Sequence, residues 1–326
     1  MPDVTAIGEL LIDFTPASRS PAGNVLFEQN SGGAPANLLA ALVKLGGEGA
    51  FIGKVGDDQF GRFLQRTLRE VGMQTGGLRF TKEAETTLAF VHLDERGDRS
   101  FSFYRRPGAD TLLTAEEIDY TLIDRSRVFH FGSLSLTDEP ARTATLKAAV
   151  YARGKGKIIS YDPNYRPPLW KSEAAAREGM ALGLGLADII KLSEVELEFL
   201  TGESDAAAGC RMLRARGGRL ILVTLGPRGC FYGCERGEGH LPTYDTKIVD
   251  TTGAGDAFLG GFLYQMLKLD LHLDNLDLGL LEDAVDFANA VGALCVGKKG
   301  GIPAMPTLDE AEGCRRSTPK LVWPRP

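Results

Sequence analysis

The stretch "DTTGAGDAF", residues 250–258, runs from two threonines through three small residues to an acid, Asp256, and then into the apolar run Ala257-Phe258-Leu259. It follows the β-prone segment Thr246 to Val249 and opens a pattern ending in Tyr264-Gln265-Met266-Leu267. It therefore reads as a loop that becomes a helix over about 253–268. Small residues at a helix start leave backbone N–H groups uncovered, and those groups together with the helix dipole attract anionic oxygen. Gly253, Ala254 and Gly255 are thus a candidate anion hole. A carboxylate in the first turn is expected to stay ionised, since the dipole favours its charged form. Asp256 would repel phosphate, so its use is to accept a proton from an alcohol that attacks a phosphoryl group held in the hole. A tight turn followed by an ordinary helix-start acid is the plainer alternative.

Outward from this stretch the chain alternates. Val4 to Ile7, Ala50 to Val55, Val128 to Phe131, Lys157 to Tyr161, Asp188 to Leu192 and Leu220 to Leu225 read as buried parallel strands. Amphipathic stretches near 34–45, 57–71, 140–153, 172–184, 205–216 and 281–297 read as helices between them. The expected fold is α/β: a doubly wound, mainly parallel sheet flanked by helices, forming one domain over residues 1–326. "TTLAFVHLDERGDRSFSFYRR" breaks the pattern with two β-prone runs around Glu95-Arg96-Gly97-Asp98, a hairpin signal. With the run Val25 to Gln29 it predicts a small β-sheet lid, with strands at about 22–31 and 87–106 inserted in the domain. The tail from Pro303 to Pro326 is proline-rich and expected to be irregular.

Composition narrows the partners. A net charge of −6 gives no reason to expect nucleic acid or an anionic membrane surface. No apolar run approaches the roughly 20 residues of a membrane span, and the start MPDVTAIGELLIDF lacks a basic region, so a cytoplasmic location is expected. Five cysteines match no disulfide framework and read as small buried side chains. No G-x-x-x-x-G-K-[ST] loop is present, and Phe258 stands where a dinucleotide fingerprint needs a small residue.

A second stretch, "NSGGAPANLLAALVKLGG", sets Gly32-Gly33 before a helix with Asn37 on its first turns. Paired glycines let a ligand approach the backbone, and Asn37 offers a donor and an acceptor to a hydroxyl. Asp13, read at the end of the first strand, can accept hydrogen bonds from sugar hydroxyls. Turn chemistry and capping explain each of these equally well when taken singly.

Together with "GELLIDF" (8–14), "FIGKVGDDQFG" (51–61), "YDPNYRPPLW" (161–170), "ADIIKLSEVELEFLTG" (187–202), "VTLGPRG" (223–229) and "KKGGIPAMPT" (298–307), these stretches resemble the ribokinase-like (pfkB) carbohydrate kinases, most closely the fructokinases. The resemblance implies transfer of the ATP γ-phosphoryl group to a hydroxyl of fructose, giving fructose 6-phosphate. Asp256 would be the base and Gly253 to Gly255 the anion hole. Asp13, Gly32, Gly33 and Asn37 would hold the sugar, with Arg105 approaching from the lid and Arg166 from the sheet. Thr224, Gly226 and Gly229 would line the ATP site and Asn289 would lie near the adenine. Asp250, Thr252 and Gly300 would hold a monovalent cation, K⁺, as activator. Family members often carry Asn-x-x-Glu, tied to Mg²⁺, where this chain has Ser193-Glu194-Val195-Glu196. Glu196 is kept as a residue behind the Mg²⁺, while Ser193 is set aside because Ser193 to Glu196 is also a complete capping box.

A 2-keto-3-deoxygluconate kinase is the nearest rival, since Arg105 and Arg166 suit a carboxylate. Those kinases tend to supply lid tyrosine hydroxyls at the positions of Ala89 and Phe103 here, which favours a neutral sugar. A non-catalytic sugar- or nucleotide-binding regulator would be expected to lose the base or the glycines. Finally, an isolated small sheet is marginal in water, so pairing of the lid with that of a second subunit, a homodimer, is expected.

Overall fold

Along the chain the strands are β1 (Val4–Ile7), β2 (Leu11–Arg19), β3 (Val25–Gly32), β4 (Gly49–Gly56), β5 (Gln74–Thr81), β6 (Leu88–Leu93) and β7 (Arg99–Tyr104). They continue as β8 (Val128–Gly132), β9 (Ile158–Asp162), β10 (Ile189–Ser193), β11 (Leu220–Thr224), β12 (Cys230–Cys234) and β13 (Gly237–Leu241). This is a computed structural model that describes residues 1–93 and 99–322. Nine strands form the main sheet in the order β13-β12-β11-β10-β9-β8-β1-β4-β5. Pairing is parallel from β11 to β5 and antiparallel across β11, β12 and β13. The six runs read as parallel strands all lie in it, while β5, β12 and β13 complete its edges.

Side chains that alternate along a strand reach opposite faces, and here the two faces feed two cores. On β11, Leu220 and Leu222 enter one core, whereas Ile221 and Val223 enter the other. On β10, Ile189 belongs to the first and Ile190 and Leu192 to the second, so Lys191 projects on the side of Ile189. The first core is built on the helices Ala34–Lys44, Ala254–Lys268 and Leu278–Cys295. Ala257 to Leu263 of the central helix are all buried, which fixes its N-terminus firmly over the sheet.

β3, β2, β6 and β7 form a separate four-stranded sheet, the lid. Here the sequence reading needs correction. β2 is a lid strand that the sequence left unassigned, and Asp13 sits on it rather than at the end of β1. The turn at Glu95 to Asp98 lies outside the described residues, but β6 and β7 on either side pair antiparallel. Thr246 to Val249 forms no strand, and Ile248 is 62% exposed. The proline-rich tail is not irregular throughout. Leu308–Ser317 is a helix started by a Thr307/Glu310 capping box and anchored by buried Ala311 and Cys314, while Trp323 to Pro326 lie outside the described residues.

Candidate active site

Ligands of α/β sheets bind beyond the carboxyl ends of the strands, and a cavity of about 680 Å³ opens there. Its floor is made where β9, β10 and β11 end and where the helix Ala254–Lys268 begins. Gly253 is left-handed at φ 76° and no side chain caps the helix, so its first turn faces the cavity bare. The N–H of Ala254 bends onto the Thr251 carbonyl at 3.3 Å, which leaves the anion-hole role chiefly to Gly253 and Gly255.

Asp256 is buried in that first turn. Its Oδ2 accepts a hydrogen bond from Asn37 Nδ2 at 2.8 Å, and Asn164 Nδ2 stands 3.5 Å from Oδ1. The helix dipole is not the dominant influence on its charge. Burial, seconded by the charge of Asp162, pushes its pKa up to about 6, against the opposing pull of Asn37, Lys191 and Arg166. A group that titrates there is still mostly ionised at neutral pH and is far better matched to proton acceptance.

Across the cavity lie the other predicted sugar residues. Gly33 has φ 113°, and a Cβ on it would meet the Glu9 carbonyl oxygen at 2.4 Å. A Cβ on Gly32 would stand 2.1 Å from Asp13 Oδ2, so this glycine makes room for the carboxylate itself. Asp13 is buried, and burial pushes its pKa up to about 7, although Arg166 opposes the shift. Asn37 gives its amide to Asp256, while among the described residues its buried Oδ1 has no hydrogen-bond partner and is free to accept from a ligand. Glu9, unassigned in the sequence, also lines the cavity beside Gly33, with Oε1 held by Ala34 N at 2.8 Å.

A second cavity of about 230 Å³ adjoins the first and shares Thr224, Thr251, Ala254 and Gly255 with it. Gly226, Gly229 and Asn289 line it, as the sequence predicts for a nucleotide. Asn289 donates to the Leu241 carbonyl at 3.1 Å, so it shapes the wall more than it offers an amide. Beside the anion hole, Asp250 accepts from Thr252 N at 2.7 Å and from Gly300 N at 3.1 Å, tying together the two loops expected to hold a cation.

Two adjoining cavities meet at a bare helix start carrying a buried carboxylate. The pfkB family carbohydrate kinase profile matches residues 1–308. The chain belongs to that family. It is 48% identical to fructokinase-1 of Zea mays over 95% of each chain. Fructokinase from Xylella fastidiosa, solved with bound ATP, superposes with a TM-score of 0.86 at 36% identity, covering 97% of this chain and 99% of that one. A fructokinase double mutant from Vibrio cholerae, solved with fructose, ADP and potassium ion, gives 0.87 at 33% identity, covering 96% and 98%. The protein is a sugar kinase, a phosphotransferase with an alcohol acceptor.

In this pfkB kinase three residues besides Glu9 escaped the sequence reading. Asp162 closes β9, and its Oδ2 accepts a hydrogen bond from Lys191 Nζ at 2.9 Å, with both side chains buried. Asn164 follows at φ 45°, a left-handed conformation that asparagine tolerates and that brings its amide towards Asp256. A lysine inside the apolar strand run Ile189-Ile190-Lys191-Leu192 was the available signal. Ser193, set aside on sequence, lines the cavity together with Glu196. Both Glu196 oxygens are engaged, Oε1 by Tyr165 N at 2.6 Å and Oε2 by Ser193 N at 2.7 Å.

Arg166 lines the cavity as predicted, but Arg105 does not. Its guanidinium is buried behind the wall in an ion pair with Asp110, at 2.6 Å, and bonds Thr137 Oγ1 and the Leu134 carbonyl. From the hairpin strand β7 it is Phe103 that lines the cavity, beside Leu11 and Asp13 of β2. The reading of Arg105 as a sugar contact is therefore replaced by a positioning role: it props the Leu134 segment that forms part of the wall.

Proposed function

We propose that this kinase transfers the γ-phosphoryl group of ATP to the 6-hydroxyl of D-fructose. The sugar lies against Asp13, Gly32, Gly33 and Asn37, with its hydroxyl at Asp256; ATP lies along Thr224, Gly226 and Gly229 with its base near Asn289. The hydroxyl proton passes to the Asp256 carboxylate as the new oxygen–phosphorus bond forms. The bond from the γ-phosphorus to the bridging oxygen breaks, and its electron pair leaves on ADP. Amides of Gly253 and Gly255 hold the equatorial oxygens as charge develops, and Arg166 steadies the transferring group. Asn37 keeps the base oriented.

The observation that carries the choice of sugar is the register of the lid. Asn30, Asp13, Ala89 and Phe103 are neighbours in one row across the sheet, so the two positions that would carry hydroxyls for a keto acid stand beside Asp13 and offer none. Glu196 would serve an Mg²⁺ carried in by the nucleotide from behind, not as a direct ligand, because both carboxylate oxygens are already engaged. When bound, that ion neutralises phosphate charge. Asp250 with the backbone carbonyls of Thr252 and Gly300 would offer hard oxygen to K⁺, which would order the loop before the anion hole that Asp250 already ties to Gly300.

An ATP-coupled assay over fructose, glucose, ribose, 2-keto-3-deoxygluconate and adenosine tests the reading. Fructose should exceed glucose and the keto acid at least tenfold in kcat/KM, on the order expected when pocket contacts differ by one or two good interactions. Activity should rise when K⁺ replaces a large organic cation at saturating Mg²⁺. A preference for the keto acid would sink fructose as substrate.

The lid also supports a dimer. Its edge strand β3 exposes Val25, Leu26 and Phe27, and Tyr104 on the opposite edge is 66% exposed. Phe14 stacks on Phe90 at 4.8 Å, and Phe27 meets Phe90 edge-on, so the apolar face is built on these rings while Phe103 turns to the cavity. Pairing with a second lid would cover both edge and face. Light scattering at micromolar concentration should give a dimer mass, and a monomer of full activity would refute it.

A further inference from the structure

The cavity floor holds a cation that the mechanism above does not use. Lys191 is buried on β10, on the sheet face that looks to the helix Ala254–Lys268, and it lines the cavity. Its Nζ lies so close to the anion hole that a Cβ on Gly255 would stand 2.6 Å from it. The helix start is therefore bare at Gly255 for a second reason: a side chain there would push the ammonium away. Among the described residues its one hydrogen bond goes to Asp162 Oδ2, although an ammonium has three N–H donors. Burial alone would lower its pKa, but the carboxylates of Asp162 and Glu196 outweigh burial and hold it charged. Such a cation, itself buried, lies beside amides that already favour anionic oxygen, and burial strengthens its attraction for charge.

We infer that Lys191 is a further catalytic residue, whose ammonium donates to the γ-phosphoryl group as it passes from ADP to the sugar, with Asp162 holding it in place. The inference rests on the kinase reading but not on the identity of the sugar. The group that moves keeps its three equatorial oxygens while the hydroxyl proton goes to Asp256 and the electron pair of the broken bond goes to ADP. Lys191 neither gains nor loses a proton.

The test is a pair of binding measurements made without sugar. Mg²⁺ complexes of ADP and of β,γ-imido-ATP are titrated calorimetrically into wild type and Lys191→Met. The variant should bind ADP within about threefold of wild type, but its affinity for the imido analogue relative to ADP should drop at least tenfold, and kcat should fall roughly 10²-fold. Because Lys191→Met strands the Asp162 carboxylate, Lys191→Met/Asp162→Asn is measured beside it, removing both charges with little change of shape. The double variant should show the same loss of γ-phosphate preference. If it keeps the wild-type preference and turnover, Lys191 serves only to neutralise Asp162 and the inference is overturned. Equal weakening of both nucleotides would overturn it too. A wild-type protein that bound neither nucleotide would instead overturn the kinase reading beneath it.

Discussion

Asp256→Asn should lower kcat by roughly 10²–10⁴, about 3–5 kcal/mol of transition-state free energy, while KM for sugar and MgATP stays within a few fold. The amide keeps the shape of the side chain and an oxygen for Asn37 Nδ2, so binding is retained and only the proton acceptor is lost. The pH profile provides a second reading. In wild type the carboxylate form is needed, and burial sets its pKa at about 6, so kcat/KM should fall as pH drops through that region. Asp13, with a pKa pushed up to about 7, titrates nearby and adds to the limb, so the apparent value belongs to the pair. In Asp256→Asn the residual rate should lose the steeper part of that limb. A loss of less than tenfold in kcat, with the fold intact, would remove Asp256 from the role of base.

Much of this could be read along the chain, for reasons specific to each part. The parallel strands are short apolar runs bounded by helical periodicity, and burial on both faces demands such runs. The helix start at Gly253 announces itself because only stripped side chains leave the amides bare. What escaped is what depends on distance in space. β2 contains Pro16 and charged residues, and its outer half is exposed, so it carries no apolar-run signal even though its first residues are buried. Asp162, Asn164 and Lys191 are scattered along the sequence and acquire meaning only where three strand ends meet one helix end. The raised pKa of Asp256 is likewise a property of assembly: the helix dipole is local and legible, but the burial and the nearby Asp162 charge that overcome it are not.

Arg105 makes the same point in reverse. Arginine beside a lid hairpin reads naturally as a substrate contact, yet its side chain is 3% exposed and that of its partner Asp110 is 2% exposed. Asp110 is held from its other oxygen by Thr87 Oγ1, at 2.5 Å, so the carboxylate cannot follow the arginine elsewhere. Removing one member of a buried, hydrogen-bonded pair leaves a charge without compensation, which costs about 3–5 kcal/mol. Arg105→Met should therefore shift the urea unfolding transition by an amount of that order, while the folded fraction keeps a KM for sugar within a few fold of wild type. Arg105→Met/Asp110→Asn should recover much of the loss, because the penalty comes from the stranded carboxylate and not from the missing attraction. The sequence-based reading makes the opposite forecast: little change in stability, and a KM for sugar raised tenfold or more. That result would mean that the guanidinium leaves Asp110 for the substrate during turnover. With both measurements in hand, one residue decides whether the β7 end of the lid meets the sugar with a guanidinium or only with a wall that the buried pair holds up.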